Sequence, residues 1–511
     1  MVEKLSEIVT ALVNALGSEN VISDVKTLET MLDNTLGVKR QAKAVVYPLS
    51  TEDVEKIIGI ANKYLTPLHA VSRGKNVGYG DIAPVSDGHV IVDLRKMNKI
   101  YGFDNRHGTV YVQPGVSQGQ LNDFLKANDS RFWMDATGSG LDASIVGNSL
   151  EGGFGHTPKG NRRRAISDLQ VVLGNGTVLQ TGIFPGLGPD LSALFVQSNF
   201  GIVTSIKVKL MPIPERYESF IIKVKNDRDL EALVDTISEL KRQNILTSLV
   251  HIANAVRSMV STRTCPDGFE NKILTSGDAV KIMSTPLVKV GYWTALGGIY
   301  GTCGEIKIKK RKIRQSFKFA DVMFISDGKL NLLRKIFNHN FMLPGLRNSL
   351  NQSIKALEYV HGLGKGVPSN QAFDNIKWRV KDDADMGLLW YSPTYPANGT
   401  DSRRVVKDAE ALFNEYGFEL PVTMTLISPD RIVGIISISF DKSDKGQCKK
   451  AHDLFNALNR KGAETGINSY RKPVTGMDIR YDKNKAATFH NLKKALDPNG
   501  IIAPGRYGIG P

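Results

Sequence analysis

Cysteine is scarce. The chain has 3 cysteines, Cys265, Cys303 and Cys448, and they lie far apart. That excludes a disulfide scaffold and a close-set zinc motif, and it fits free thiols in a reducing compartment. Long apolar runs are also missing. No stretch approaches the ~20 apolar residues of a membrane span, so no membrane partner is expected. The N-terminus, MVEKLSEIVTALVNALGSEN, carries acidic residues early, which argues against a signal peptide. Its Leu5, Ile8, Val9, Leu12, Val13 and Leu16 recur at helical spacing and predict an amphipathic surface helix of a cytoplasmic protein. Acidic residues are in deficit, 51 against 66 Lys and Arg, for a formal charge of +15. The basic excess gathers in IKIKKRKIRQSFK (Ile306 to Lys318) and NRRR (Asn161 to Arg164), without interleaved aromatics or a nucleic-acid motif. A solvated helix face, or a surface attracting an acidic partner, is the simpler reading; nucleic acid is not expected.

What is present is glycine, 48 residues of it, concentrated in two places. VSRGKNVGYG, Val71 to Gly80, lies between the apolar runs TPLHAV and HVIVDL. Glycines permit positive φ and let backbone N–H groups approach an anion, so this loop is a candidate pyrophosphate cradle. A bare turn between two strands explains it equally well on its own. The second cluster, ATGSGLDASIVGNSLEGGFGHTPKGN, Ala136 to Asn161, holds seven glycines and almost no regular period. So long a stretch without secondary structure is usually functional in a compact domain.

A chain of 511 residues suggests about two to four domains. AVVYPLS reads as a strand and TEDVEKIIGIANKYL as a helix capped by Thr51, with an apolar face at Val54, Ile57, Ile58 and Ala61. TPLHAVS, HVIVDLRKMNKI and YGFDNRHGTVYVQPGV continue a βαβ pattern into antiparallel strands. Ser167 to Gly182 reads as a hairpin turning at Asn175-Gly176. Near Glu215 the texture changes to strand and helix alternation. GYWTALGGIYGT, MGLLWYSPTYP and RIVGIISISFD read as strands, VKDAEALFNEYG and KKAHDLFNALNRKGAET as covering helices.

Taken together, GKNVGYG, VIVDLRKMNKI, VQPGVSQGQL, IVGNSLEGGFGHTPKG, LQVVLGNGTVLQTG, QSNFGIVTSIKVKLMPIP, GLLWYSPTYP and DPNGIIAPGRYGI resemble the flavoprotein family of vanillyl-alcohol oxidase and the flavin subunit of p-cresol methylhydroxylase. The resemblance runs from about Ser50 to the C-terminus. It implies an α+β fold: a two-subdomain FAD-binding domain of the p-cresol methylhydroxylase type, with an inserted α+β cap whose antiparallel sheet is covered by helices. Residues 1–215 and the return 468–511 would form the FAD domain, and 216–467 the cap.

The resemblance also implies site residues. FAD would contact Arg73, Gly74, Lys75, Asn76, Val77, Gly78 and Tyr79 in the first loop. In the second it would contact Gly138, Ser139, Ser144, Gly147, Asn148, Gly152, Gly155, His156 and Thr157, and further on Gly201, Ile202, Val203 and Arg506. Tyr79, Tyr470 and Arg471 match the residues that hold a substrate phenolate in the family. Such a group favours the anion and eases hydride loss from the para-carbon. Alternatively, Tyr79 packs on the flavin and Arg471 pairs with a local carboxylate.

Three departures stand out. The family's covalent-attachment positions fall at Leu388 and near Val380, which cannot form the bond, so non-covalent FAD is expected. An aspartate placed near flavin N5 in vanillyl-alcohol oxidase has no clear match, though Ser139 or Asp142 could approach. His156 replaces an aromatic residue beside the flavin loop and is a candidate general base, or a histidine bonded only within its loop.

The expected activity is an FAD-dependent oxidase or dehydrogenase taking a hydride from a para-substituted phenol. The alternatives are oxidation of a non-phenolic alcohol, hydroxy acid or amine, and, in another class, a basic binding protein for an acidic partner or nucleic acid. The expected partners are a small-molecule substrate, oxygen or a small redox protein as electron acceptor, and a second copy in a homodimer or assembly of dimers. No metal is expected.

Overall fold

A computed structural model describes residues 7–183, 185–262, 264–266, 268–269, 272–284, 289–337, 344–372, 378–380 and 382–510. Leu5 of the N-terminal pattern lies outside these residues; the helix itself runs Glu7–Leu16 and buries Ile8, Val9 and Leu12.

Three apolar runs build a parallel core. HVIVD is buried at every residue, as a strand covered on both faces must be. His89–Asp93 pairs in parallel with Ala42–Val46 on one side and Leu68–Val71 on the other. Helix Thr51–Lys63 packs Val54, Ile57, Ile58 and Ala61 into this core. Its N-cap is Ser50, not Thr51: the Ser50 hydroxyl accepts from the Asp53 amide at 3.2 Å. Thr51 is already helical and donates its hydroxyl to Gln170.

The C-terminal tail returns to this sheet. The Leu68 amide donates to the Ile501 carbonyl at 2.7 Å, and the Ala503 amide to the Leu68 carbonyl at 2.8 Å. A buried ion pair pins the tail, with Lys493 Nζ 2.7 Å from Asp497 and donating to the carbonyls of Asn199 and Ile502. Such a pair is retained inside only when its remaining protons and lone pairs are bonded, as here.

The second sheet is antiparallel, in the order Ile100–Asp104, Thr109–Val112, Gly201–Lys209, Ile166–Leu173, Val178–Gln180. Its last two strands are the hairpin expected from Asn175-Gly176. Gly176 takes φ +87°, whereas Asn175 keeps a negative φ, so one left-handed residue closes the turn.

The third sheet has nine strands drawn from residues 216 to 469. Arg216–Val224 and Trp293–Gly301 pair along their full lengths. Helices Leu230–Arg242, Gly399–Tyr416 and Lys445–Glu464 bury one apolar face each into a shared core around Phe220, Tyr395 and Phe413. The basic run forms helix Cys303–Ser316, which buries Ile306 and Ile313. Lys310 bonds Glu218 at 2.8 Å, and both Lys310 and Arg314 lie 5.1 Å from the Phe324 ring centroid. The helix leaves Lys307, Arg311, Lys312 and Arg314 exposed, a solvated face; in the other basic run Arg162 is buried beside Asp135, and Arg163 and Arg164 are exposed. The three cysteines form no disulfide among the described residues. Among the described residues no helix is long and apolar enough to cross a membrane, and no cluster of His, Cys, Asp and Glu could hold a metal.

Candidate active site

The two glycine loops touch. A Cβ on Gly147 would stand 3.1 Å from the Ser72 hydroxyl, so only a bare backbone allows this approach. Gly78 is held at φ +76°, and a Cβ there would stand 2.4 Å from the Trp390 indole. That indole donates to the Val77 carbonyl at 3.0 Å and so fixes the loop from the third sheet.

The Arg73 side chain is engaged inside the protein. It donates to the carbonyls of Asp142 and Gly115, and it pairs with the Asp142 carboxylate, which Lys75 approaches at 3.8 Å. This corrects the expectation for Asp142, whose carboxylate is turned to Arg73 and Lys75. Ser139 is held by Thr137 and Gln118. The second cluster is also more regular than its composition suggests. Ser144 caps a short helix, Ile145–Leu150, accepting from the Gly147 amide at 3.0 Å. Thr157 donates through both its amide and its hydroxyl to Asp135, over which Gly155 closes. Arg163 covers Gly152. Gly201, Ile202 and Val203 lie in a central strand, and the side chains of Ile202 and Val203 enter the core, leaving only backbone for a ligand.

Tyr79, Tyr470 and Arg471 meet. The Tyr79 and Tyr470 hydroxyls lie close enough to act on each other. Tyr79 also bonds the Ser392 hydroxyl at 3.1 Å, and the Arg471 guanidinium lies 4.1 Å from the centroid of its ring. Arg471 donates Nη2 to Asn76 and Nε to Glu151 at 3.1 Å. Glu151 in turn binds Arg506 and the Tyr507 hydroxyl. Burial would raise the Glu151 carboxyl, but Arg506, Arg471 and the Tyr507 hydroxyl outweigh it and hold the group down at about 2. Burial pushes both Tyr79 and Tyr470 upward, with Arg471 opposing.

A second group gathers on the other glycine segment, whose Phe154 ring lies 5.7 Å from that of Tyr470. His156 bonds the Ala136 carbonyl through Nδ1 at 3.1 Å. A carbonyl only accepts, and burial lowers this histidine's pKa, so the neutral ring carries its proton on Nδ1 and presents Nε2 as an acceptor. The His251 ring stacks obliquely at 4.5 Å from it. Among the described residues the buried His251 Nε2 has no partner, and burial and His156 hold its pKa well below the ordinary value. Tyr359 reaches the same place, since its hydroxyl lies 3.0 Å from where a Gly138 Cβ would be, and His156 Cε1 lies 3.9 Å from that point. Arg257 stands 5.8 Å from the Trp390 ring centroid.

Sequence reasoning passed over Glu151, Ser392, Trp390, His251, Arg257 and Tyr359. Glu151 did leave a signal, a lone carboxylate within a glycine-rich segment suited to anions. Leu388 falls beside the first loop, its side chain 3.1 Å from the Gly78 Cβ position.

Comparison with known proteins follows this geometry. A family model described as an FAD binding domain matches residues 42–182. The 4-cresol dehydrogenase (hydroxylating) flavoprotein subunit of Pseudomonas putida is 28% identical over 97% of this chain and 94% of its own. The chain is a homologue of that flavoprotein subunit. The 1'-carboxy-chondrochloren decarboxylase of Chondromyces crocatus is 27% identical over 99% of this chain and 97% of its own. The 4-ethylphenol oxidase from Gulosibacter chungangensis, solved as an isoeugenol complex, superposes with a TM-score of 0.88 at 27% identity, covering 100% of this chain and 98% of that one. The flavoprotein is thus an FAD-dependent oxidoreductase of the p-cresol methylhydroxylase type. Its residues fit FAD. Two glycine-rich loops abut, Arg73 is paired with Asp142, and among the described residues the buried Asn148 amide oxygen has no partner. FAD brings hydroxyl and ring N–H donors for such an acceptor, and its pyrophosphate suits the backbone amides.

Proposed function

We propose that the flavoprotein oxidises a para-substituted phenol whose oxygen is held by Tyr79, Tyr470 and Arg471. The observation that carries this is the meeting of two neighbouring buried tyrosine hydroxyls with a guanidinium that lies over the Tyr79 ring. Arg471 commits Nε and Nη2 to Glu151 and Asn76, and among the described residues Nη1 has no hydrogen-bond partner. A ligand oxygen placed there takes a charge-assisted bond from Nη1 and one from a tyrosine. Both terms grow as the oxygen becomes anionic, so the site favours phenolate. Phenolate raises electron density at the para-carbon. When bound, FAD supplies the acceptor for a hydride from that position. The names of two relatives, a 4-cresol dehydrogenase and a 4-ethylphenol oxidase, support a phenolic substrate.

In this reading residues 1–215 and 468–511 hold the cofactor, and 216–467 close over the substrate. Leu388 stands beside the first loop with an inert side chain, so FAD is held without a covalent link. Electrons leave to oxygen or to a small redox protein, and the protein works as a homodimer or an assembly of dimers.

The test is turnover of 4-ethylphenol against its methyl ether, in the wild type and in Tyr470→Phe. The phenol turns over, the ether does not, and Tyr470→Phe lowers kcat/KM for the phenol by about 10²–10³, the usual cost of losing one preorganised donor. Equal turnover of the ether would overturn the reading.

A second reading is supported by His156, whose Nε2 is a free acceptor in the neutral ring. It would serve as general base toward a non-phenolic alcohol, and turnover of the ether together with inactive His156→Gln would favour it.

A further inference from the structure

The proposed phenol site adjoins the Gly78 loop. Against the Trp390 indole that packs on the same loop lies a cation with no counter-charge among the described residues. Arg257 sits on the short helix Ala255–Val260, half-buried. Its backbone amide is capped by Asn254, but among the described residues its guanidinium makes no hydrogen bond and no ion pair. Its neighbours are the Trp390 ring, at 5.8 Å, and Tyr359. Other arginines enclosed to this degree stand against a carboxylate: Arg471 and Arg506 share Glu151, Arg403 takes Asp227 and Glu231, and Arg162 faces Asp135. Burial weakens the Arg257 charge. A guanidinium withdrawn from water without an acceptor is costly, and a bound anion would remove that cost.

The surroundings connect this cation to the substrate site. Trp390 touches Gly78 on the first loop and stacks near Arg257. Tyr79 follows Gly78 directly. The Tyr359 hydroxyl points at Gly138, on the second glycine segment, beside His156. Burial raises Tyr359 to about 12, so at neutral pH it is a hydroxyl donor and not a second anion. The local donor set is therefore a planar fork and one hydroxyl, on an aromatic floor. That set is selective for a carboxylate, which accepts two parallel N–H bonds and one O–H bond.

We propose that Arg257 and Tyr359 form a carboxylate-binding subsite, and that the substrate is a phenol whose para side chain ends in a carboxylate. For the phenol end the proposal rests on the reading of Tyr79, Tyr470 and Arg471 given above. The subsite needs no proton transfer; it orients the acid and sets specificity.

The test is calorimetric binding to the FAD-loaded protein under anaerobic conditions. Three probes are used: 4-ethylphenol, 3-(4-hydroxyphenyl)propanoate and the methyl ether of that acid. The phenolic acid binds about 10–100-fold more tightly than 4-ethylphenol, the value of one charge-assisted fork. In Arg257→Met the ratio of the two dissociation constants collapses to about one, and Arg257→Lys restores part of it. If Arg257→Met does not hold FAD, Tyr359→Phe is read instead, with a several-fold fall in the same ratio. A ratio near one in the wild type overturns the subsite. So does an Arg257→Met variant that weakens both phenols equally or shifts the flavin absorbance without ligand, because the residue then supports the fold or the cofactor. The ether separates the two readings. An acid preference that survives methylation and still depends on Arg257 keeps the carboxylate subsite and removes the phenol site.

Discussion

Around Tyr79 the charges are paired: Arg471 and Arg506 share Glu151, and Asn76 and Tyr507 bond into the same network. Around Tyr359 the opposite holds: two neutral histidines face each other, and among the described residues one buried ring nitrogen has no partner and one guanidinium no counter-charge. The first side is assembled before a ligand arrives. The second acquires its missing acceptor with one. A preorganised pole suits charge that develops during reaction, because its dipoles need not turn. An unsatisfied wall suits discrimination between ligands, because a ligand lacking the right group leaves the wall's polar atoms bare.

The largest effect that would break this contrast is expected at Glu151. Glu151→Gln leaves Arg471 and Arg506 without their carboxylate. Removing one partner of a buried ion network costs about 3–5 kcal/mol, read by urea unfolding of the FAD-loaded protein. The pH dependence fixes the cause. The folded pKa of about 2 lies below the ordinary 4.5, so the stabilisation is complete above 4.5 and is lost as pH falls toward 2. The gap between wild type and variant therefore closes over that window. A variant as stable as the wild type at pH 7 would mean the pole is not locked by charge.

Gly78 adjoins Tyr79 and the Trp390 indole and gives a smaller effect. Gly78→Ala must keep φ +76° and push a methyl into the Trp390 indole, which stands 2.4 Å away. The strain is about 1–3 kcal/mol, and the indole's bond to Val77 is the contact that gives way. Expected outcomes are a lower Tm and faster release of FAD fluorescence on dilution. Unchanged FAD retention would mean Trp390 does not couple the loop to the third sheet.

How much of this was legible in the sequence follows from range. Short-period features were readable. The hairpin at Gly176, the helix face at Val54, Ile57, Ile58 and Ala61, and the strand GYWTALGGIYGT depend on neighbours a few residues away. Tyr79, Tyr470 and Arg471 were reached through resemblance, and the fold does bring them together. The second group was not legible. His156 meets His251 from a strand 95 positions on, and Tyr359 comes from helix Pro344–Gly364, whose register against Gly138 no local pattern encodes. The Thr51 cap failed for a local reason: Ser50 and Thr51 are both cap residues, and a tertiary bond to Gln170 drew Thr51 into the helix.

His156 gives the smallest effect at neutral pH and sharpens the contrast most on acidification. His156→Gln removes one hydrogen bond to the Ala136 carbonyl, worth about 1 kcal/mol, and leaves Glu151 and both arginines in place. The folded pKa of His156 lies below the ordinary 6.5 because burial disfavours the charged ring, and His251 is depressed further. Below 6.5 the unfolded chain binds protons that the folded chain does not, so the wild type loses stability as pH falls from 7 toward 5. The variant has one fewer such group and loses less. Unfolding free energies measured across this range therefore converge toward acid and give a shallower slope for His156→Gln. This window lies above the one set by Glu151, so the two groups separate on a single pH axis. Parallel slopes would show that burial leaves His156 unshifted, and a steeper slope in His156→Gln that the folded ring holds its extra proton, so that its Nε2 is a donor and not the acceptor the second reading requires.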